Sequence, residues 1–306
     1  MKRFLCVCLS STIQRTITFA NLEFAQVNRS EKYRQDASGK AINSARVLNQ
    51  LEKGCVQAVC PLGKENQAQF VSLAEKDGLP VCFVTIPGAT RECWTLLSRA
   101  DGTTTELVVS EPSLPDADKK EVESAEIRLL KKIADALDSV DAVLLAGSRP
   151  EIWSENLYAT IAGIAKDSGK IFLADYIGAD LERTLKSAVP DVVKINDEEF
   201  CRTFSLDFPC PAEVLKSQII EKSKVYKNAF VITRGCDSTF AARDGVFFEQ
   251  RTEKVSAVNT TACGDSFNAG FLYEFVRSGD MQKSLEKGTW CAARNAELEV
   301  PGGIRE

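Results

Sequence analysis

The chain has 306 residues, 44% of them apolar, and a formal net charge of −5. Such a composition can build one large α/β domain or two smaller ones, and its scattered basic residues argue against nucleic acid or an anionic membrane as partner. It contains no histidine, which removes Ser-His-Asp and Cys-His catalysis, HExxH zinc chemistry and the His-Arg-Asp loop of protein kinases.

Taken in chain order, apolar runs of strand length alternate with segments of helical period. The opening Met1-Lys-Arg-Phe-Leu-Cys-Val-Cys-Leu9 has an apolar run too short for a signal h-region, and Phe4–Leu9 reads as a strand. A β-type run follows at Arg15–Phe19. Gly39–Lys53 has helical period, with Ala41, Ala45, Leu48 and Leu51 on one face and Gly54 as its stop. Strands at Cys55–Cys60 and Pro80–Thr85 flank a helix over Asn66–Lys76. Two further β-type runs, Trp94–Ser98 and Thr104–Val109, come with turns at Pro87-Gly88 and Asp101-Gly102. The rhythm then resumes: helix Asp116–Leu137, strand Ala142–Ala146, helix Ile152–Asp167, strands Ile171–Asp175 and Val192–Ile195, helix Pro211–Lys224 and strand Phe230–Thr233. Helices Gly264–Ser278 and Met281–Glu297 close the chain.

This alternation predicts a largely parallel sheet with helices on both faces and ligand sites at the carboxyl ends of its strands. Residues 13–36 and about 86–113 have no helix between their β-type runs. They read as a small β lid inserted into a single domain spanning 1–306. The eleven cysteines include no C-x-x-C pair and fall mostly inside strand-like runs, as in Val81-Cys-Phe83. That pattern excludes a zinc ribbon or redox dithiol and fits a reducing cytoplasm. No stretch approaches the roughly 18 apolar residues of a membrane span.

The segment richest in chemistry is Asn259-Thr-Thr-Ala-Cys-Gly-Asp265-Ser-Phe-Asn-Ala-Gly-Phe271. Small residues at Ala262, Cys263 and Gly264 open a helix, with the Asp265 carboxylate in its first turn. Backbone N–H groups and the dipole at a helix start suit a phosphate, and a carboxylate there can take a proton from an attacking hydroxyl. Anion cradle and base together are what phosphoryl transfer to an alcohol requires. An ordinary helix start, capped by Thr260 or Thr261, accounts for the same residues.

The chain resembles the ribokinase-like, or PfkB, carbohydrate kinases over nearly its whole length. The family signature Asp-Thr-x-Gly-Ala-Gly-Asp stands here as Asn259-Thr-Thr-Ala-Cys-Gly-Asp265. The amino-terminal Gly-Gly-Lys-Gly-x-Asn-x-Ala stands as Ser38-Gly39-Lys40-Ala41-Ile42-Asn43-Ser44-Ala45, and Asn-x-x-Glu as Asn196-Asp197-Glu198-Glu199, just after Lys194. The resemblance implies a three-layer α/β/α fold with a largely parallel central sheet and a small β lid. Lys40-x-x-Asn43-x-Ala45-Arg46-Val47-Leu48, Gly88-Ala-Thr-Arg91 and Ala146-Gly147-Ser148-Arg149-Pro150 look most like the 1-phosphofructokinase and tagatose-6-phosphate kinase branch.

The resemblance implies an ATP- and Mg²⁺-dependent kinase in which Asp265 is the base and Ala262, Cys263 and Gly264 offer backbone N–H groups to the transferring phosphoryl. Gln14, Gly39, Lys40, Asn43 and Arg91 then hold the sugar, with Lys40 and Arg91 meeting its phosphate. Lys194, Asn196, Glu199, Thr233, Gly235, Thr261 and Asn295 fall on the nucleotide side, and Asn196 and Glu199 organise Mg²⁺ through water. Each has a plainer alternative: Asn196 and Glu199 also fit a capping box, Gly235 a strand-end turn, and Asn295 a helix-surface amide.

Four positions depart from the pattern: Gln14 replaces an Asp that binds sugar hydroxyls, Ala262 the first Gly of the anion motif, and Ser38 a Gly. Asn259 replaces an Asp linked to a monovalent-cation site, which argues against K⁺ activation. The expectation is a kinase for a phosphorylated ketohexose. Its rivals are a ribokinase-like kinase for a free sugar or nucleoside and a catalytically silent sugar-phosphate sensor. The branch is often dimeric through lid strands, and the exposed edges of short strands supply a physical reason for pairing.

Overall fold

In a computed structural model of the chain, the residues described are 1–30, 32–111, 115 and 118–305. The expected helix start at Asp116, and residue 31 and residues 112 and 113 of the two expected excursions, lie outside them.

The centre of the fold is a nine-stranded sheet of order β13-β12-β11-β10-β9-β8-β1-β4-β5. Its members are β1 (Phe4–Val7), β4 (Val56–Gly63), β5 (Val81–Ile86), β8 (Ala142–Ala146), β9 (Ile171–Asp175), β10 (Val192–Asn196), β11 (Ala229–Thr233), β12 (Thr239–Arg243) and β13 (Val246–Gln250). From β5 to β11 every pairing is parallel, and β12 and β13 run antiparallel at one edge.

Residue alternation splits the core into two layers. Phe4, Cys6 and Cys8 pack with α1 (Lys40–Leu51), α2 (Gln67–Lys76), α8 (Cys263–Ser278) and α9 (Met281–Ala296). Leu5, Val7 and Leu9 face α3 (Lys119–Leu137), α4 (Leu157–Asp167), α5 (Gly178–Ser187), α6 (Asp197–Thr203) and α7 (Ala212–Tyr226). This is the three-layer arrangement that buried, near-continuously apolar parallel strands require.

A second sheet of four strands, ordered β3-β2-β6-β7, is built from β2 (Thr12–Phe19), β3 (Lys32–Ser38), β6 (Arg91–Ser98) and β7 (Thr103–Leu107). Thr12 pairs with Ser38 on one side and Arg91 on the other, which carries this sheet to the carboxyl edge of β1. In the central sheet Cys6 and Cys60 are buried as small apolar groups and Cys82 is half-buried, and no disulfide forms among the described residues. No helix among the described residues is long and apolar enough to cross a membrane.

Sequence and structure differ in places. The hairpin β12–β13 had not been expected, although its Asp244-Gly245 turn, with φ of +51° and +83°, is a strong hairpin signal. Helices α5 and α6 had not been expected, α6 because it has only seven residues and α5 because it buries only Leu181, Thr184 and Leu185, and β3 is obscured because its outer half is polar and exposed. The helix expected from Ile152 begins at Leu157, after a run of turns.

Candidate active site

The carboxyl ends of the central strands, the start of α1 and the start of α8 meet at one place. Gly39 makes the first junction possible. Its φ is +122°, and a Cβ there would lie 2.6 Å from Cys8 Sγ and 2.8 Å from the Ser10 carbonyl, so only glycine lets α1 start against the end of β1. Asn43 then reaches across to α8, its amide donating to Asp265 Oδ2 at 2.9 Å. Ser38 Oγ and Arg46 Nη1 donate to the Asn43 carbonyl oxygen at 2.9 and 3.1 Å, which fixes the orientation of the amide. Ser44 Oγ donates to the Asp265 carbonyl at 2.8 Å and pins the two helices one residue further on.

Asp265 is only 7% exposed. Burial pushes its carboxyl up to about 6, against the pull of the Lys40 ammonium, the Asn43 amide and, more weakly, Lys194. Such a group is ionised at neutral pH yet more basic than an ordinary carboxylate.

A second buried carboxylate, Asp175 at the end of β9, was not singled out from the sequence. It is 1% exposed and receives Lys40 Nζ at 3.1 Å, Lys194 Nζ at 3.7 Å and the Asn268 amide at 2.5 Å. Burial would raise its carboxyl, but Lys40, Lys194 and Asn268 together hold it below the ordinary carboxylate range. Its place as the last residue of a parallel strand was the signal available. Lys40 Nζ also lies 3.5 Å from Glu199 Oε1, and Asp175 ahead of other causes raises the Lys40 pKa well above its usual value. Of the two cations expected to meet a sugar's phosphate, Lys40 thus turns toward the strand ends and Asp265, whereas Arg91 stays with the second sheet.

Asn196 and Glu199 form the capping box of α6: Glu199 N–H donates to Asn196 Oδ1 at 2.7 Å, and Asn196 N–H to Glu199 Oε2 at 2.9 Å. This leaves Glu199 Oε1 for the site. Carboxylates from Asp175, at the end of β9, and Glu199, in the first turn of α6 just beyond the paired strand β10, therefore converge on one cation, the Lys40 ammonium. No group of three acidic, Cys or His side chains could hold a metal directly among the described residues. The donor set fits a divalent ion that keeps most of its waters and shares phosphate oxygens.

Helix α8 opens without a side-chain cap. Its N-cap residue is Ala262 at φ +66°, so the plainer reading of Thr260 or Thr261 as cap is not realised. The Thr261 hydroxyl instead donates to Glu106 on β7 at 2.6 Å and lies 3.4 Å from Thr95 Oγ1, which receives the Gln14 amide at 2.9 Å. Gly264 leaves room for Lys194, whose Nζ would sit 3.1 Å from a Cβ there. Burial pushes the Cys263 thiol up to about 11, so it stands as a neutral small side chain beside the turn.

Asn295 is not the helix-surface amide considered from the sequence. It is fully buried and has no polar atom left for a ligand. It donates to the Thr261 carbonyl at 2.8 Å and to Cys263 Sγ at 3.4 Å, and accepts from Ser266 Oγ at 3.1 Å and Gly302 N–H at 2.7 Å. Its geometry is that of a clamp beneath the Ala262–Gly264 turn. Asn259 is likewise used internally, accepting from Thr261 N–H and donating to the Glu299 carbonyl, both at 2.9 Å. Thr233 ends β11 in register with Asn196, and Gly235 lies in the turn that follows, with φ +57°.

Arg91, first residue of β6, directs Nε to Thr12 Oγ1 at 3.0 Å and to Glu111 Oε1 at 3.2 Å, Nη1 to the Val109 carbonyl at 3.0 Å, and Nη2 to Ser10 Oγ at 2.5 Å.

Comparison with known proteins agrees with this geometry. A model of the pfkB family carbohydrate kinases matches residues 3–299. Among solved structures, a mutant of phosphofructokinase-2 from Escherichia coli superposes with a TM-score of 0.83 at 16% identity, covering 99% of this chain and 96% of that one. Phosphofructokinase-2 from Escherichia coli in complex with fructose-6-phosphate gives 0.80 at 16% identity, over 97% and 94%. A possible 1-phosphofructokinase from Thermotoga maritima gives 0.82 at 20% identity, over 98% and 93%. At these identities the structural likeness speaks for the fold, which is ribokinase-like; the family match speaks for the chemistry. The chain belongs to the pfkB family of carbohydrate kinases, and so is a sugar kinase that moves a phosphate onto a hydroxyl.

Proposed function

We propose that this pfkB-family carbohydrate kinase transfers the γ-phosphate of ATP to a hydroxyl of an already phosphorylated ketohexose, as 1-phosphofructokinases and tagatose-6-phosphate kinases do. The observation that carries this reading is the position of Arg91 relative to the base. Thr12 separates Arg91 from Ser38 in the second sheet, two strand spacings or about 10 Å. Ser38 in turn bonds Asn43, which holds Asp265. A planar guanidinium thus stands in the sheet whose Ser38 orients the partner of the base, and in this reading it takes the phosphate of the acceptor.

In this reading Asp265 takes the proton of the attacking hydroxyl, and its raised pKa makes it a better acceptor than an ordinary carboxylate. The uncapped start of α8 at Ala262, Cys263 and Gly264 receives the phosphoryl oxygens, with the Lys40 and Lys194 ammonium groups beside it. The family implies ATP and a divalent metal; Asp175, Glu199 and Asn196 would hold that ion through its waters. When bound, it neutralises charge on the β- and γ-phosphate oxygens. Gln14, Gly39 and Asn43 face the acceptor, and Thr233 and Gly235 the nucleotide.

The second sheet then acts as a lid on a single domain, its Gln14–Thr95–Thr261–Glu106 contacts reaching the phosphate turn. Its edge strands β3 and β7 offer pairing to a second copy. K⁺ activation is not expected, because the neutral Asn259 amide is already used by Thr261 and Glu299.

The test is ADP release from Mg-ATP with a panel of free and phosphorylated sugars. Turnover confined to ketohexose phosphates supports the reading. Turnover confined to free sugars or nucleosides would replace it, and binding without turnover would point to a sensor.

A further inference from the structure

Arg91, Glu111 and Ser11 line one small cavity, with Leu9, Ile86 and Ile152 as its apolar wall. Glu111 Oε1 takes the Arg91 guanidinium at 3.2 Å and is also hydrogen-bonded by Ser10 Oγ. Ser10 Oγ in turn receives Arg91 Nη2 at 2.5 Å, so cation, hydroxyl and carboxylate form a closed triangle. The Arg91 and Glu111 side chains are only 16% and 26% exposed, which puts the pair beyond a casual surface contact. The cavity also holds an unused donor. Ser11 is 5% exposed, and its hydroxyl has no partner beyond the weak thiol of Cys60. A buried hydroxyl without an acceptor is costly, and an acceptor arriving in the cavity would relieve that cost.

We infer that Glu111 is an internal stand-in for the acceptor's anionic group, occupying the Arg91–Ser10 subsite until a phosphate displaces it and sets the threshold for which acceptors bind. A carboxylate is planar and offers two oxygens. A phosphate offers three around a tetrahedral centre, enough to replace Glu111 on Arg91 and Ser10 and to give Ser11 its missing acceptor. A free sugar brings no anion and leaves the triangle closed. Glu111 is thus a specificity-determining residue: it penalises every ligand that cannot match it at Arg91. The inference rests on the proposed sugar-phosphate reading for its biological meaning, but the subsite can be probed without any sugar.

The experiment compares the full chain with Glu111→Gln, Glu111→Leu and Glu111→Gln/Arg91→Ala, using inorganic phosphate in calorimetric titrations and, separately, KM for the best ketohexose phosphate. Loss of the competing carboxylate should tighten phosphate about fivefold in both single variants, near the upper value of a partly exposed ion pair. KM should fall in proportion, and the gain should vanish in the double variant. Tighter phosphate binding in a protein that turns over no sugar phosphate upholds the subsite and removes the substrate reading. Turnover of a sugar phosphate, with phosphate affinity and KM unmoved or weakened in both single variants, keeps the substrate reading and overturns the inference.

Discussion

The Asn43 side-chain amide donates to Asp265 Oδ2 at 2.9 Å, joining the first helix to the eighth across 222 positions of sequence. One hydrogen bond thereby ties the amino-terminal motif to the carboxyl-terminal one and, after the Lys40 ammonium, is the next influence that favours the ionised form of a buried carboxylate.

If Asp265 is the base, Asp265→Asn should lower kcat by about 10²–10⁴-fold and leave Mg-ATP binding largely intact. Steady-state kinetics beside a nucleotide titration check both halves. Turnover close to that of the parent would remove Asp265 from the proton's path.

The pH dependence follows from the same group. With its carboxyl near 6, kcat/KM should fall on the acid side through pH 6 as Asp265 protonates. The stability term runs the other way. A carboxyl raised on folding binds more protons in the native state than in the unfolded one between about pH 4 and pH 6, so its contribution falls as pH rises through that window. Asp265→Asn should therefore raise Tm at pH 8 and lose that gain by pH 4, a comparison that calorimetry reads directly.

Asp175 has the opposite sign. Lys40, Lys194 and Asn268 hold its carboxyl low, so its stabilisation is present above the ordinary carboxylate range and is lost only as pH falls below it. Asp175→Asn leaves two ammonium groups facing a neutral amide. It should cost about 3–5 kcal/mol in denaturant unfolding and abolish turnover. A cost under 1 kcal/mol would mean that Lys40 and Lys194 find other partners.

Ala262 holds φ +66° at the start of α8, a conformation that costs a residue with a Cβ about 1–2 kcal/mol. Ala262→Gly should raise Tm by a few degrees. A fall in Tm would show that the Ala262 methyl supplies packing that outweighs the strain.

Asn295→Leu should cost more than the ~1–3 kcal/mol of a single unsatisfied group, because the buried Thr261 carbonyl, Ser266 hydroxyl and Gly302 N–H lose their partner together. As a positioning residue it should lower kcat more than it changes KM for ATP. A rise confined to that KM would restore the nucleotide-contact reading suggested by family resemblance.

The alternation of apolar runs with helical periods was legible in the sequence because parallel strands buried on both faces need continuous apolar stretches. The Asn259–Asp265 segment was legible for a similar reason: small residues and one carboxylate at a helix start are a local pattern. The roles of Asp175, Lys40 and Glu111 were not local. Asp175 is one acidic residue at a strand end until β9 pairs with β10, which carries Lys194, and α1 brings Lys40 over the strand ends. Lys40 could have faced either side of the acceptor until α1 packed against α8. Glu111 carries no sequence signal at all, and its meaning comes only from the return of the chain to Arg91 and Ser10. Sequence by itself determined which residues could carry charge, cap a helix or fill a core. Tertiary structure decided which charges share a low-dielectric space, and pKa shifts, ion pairs and competition for a subsite depend on that distance and burial.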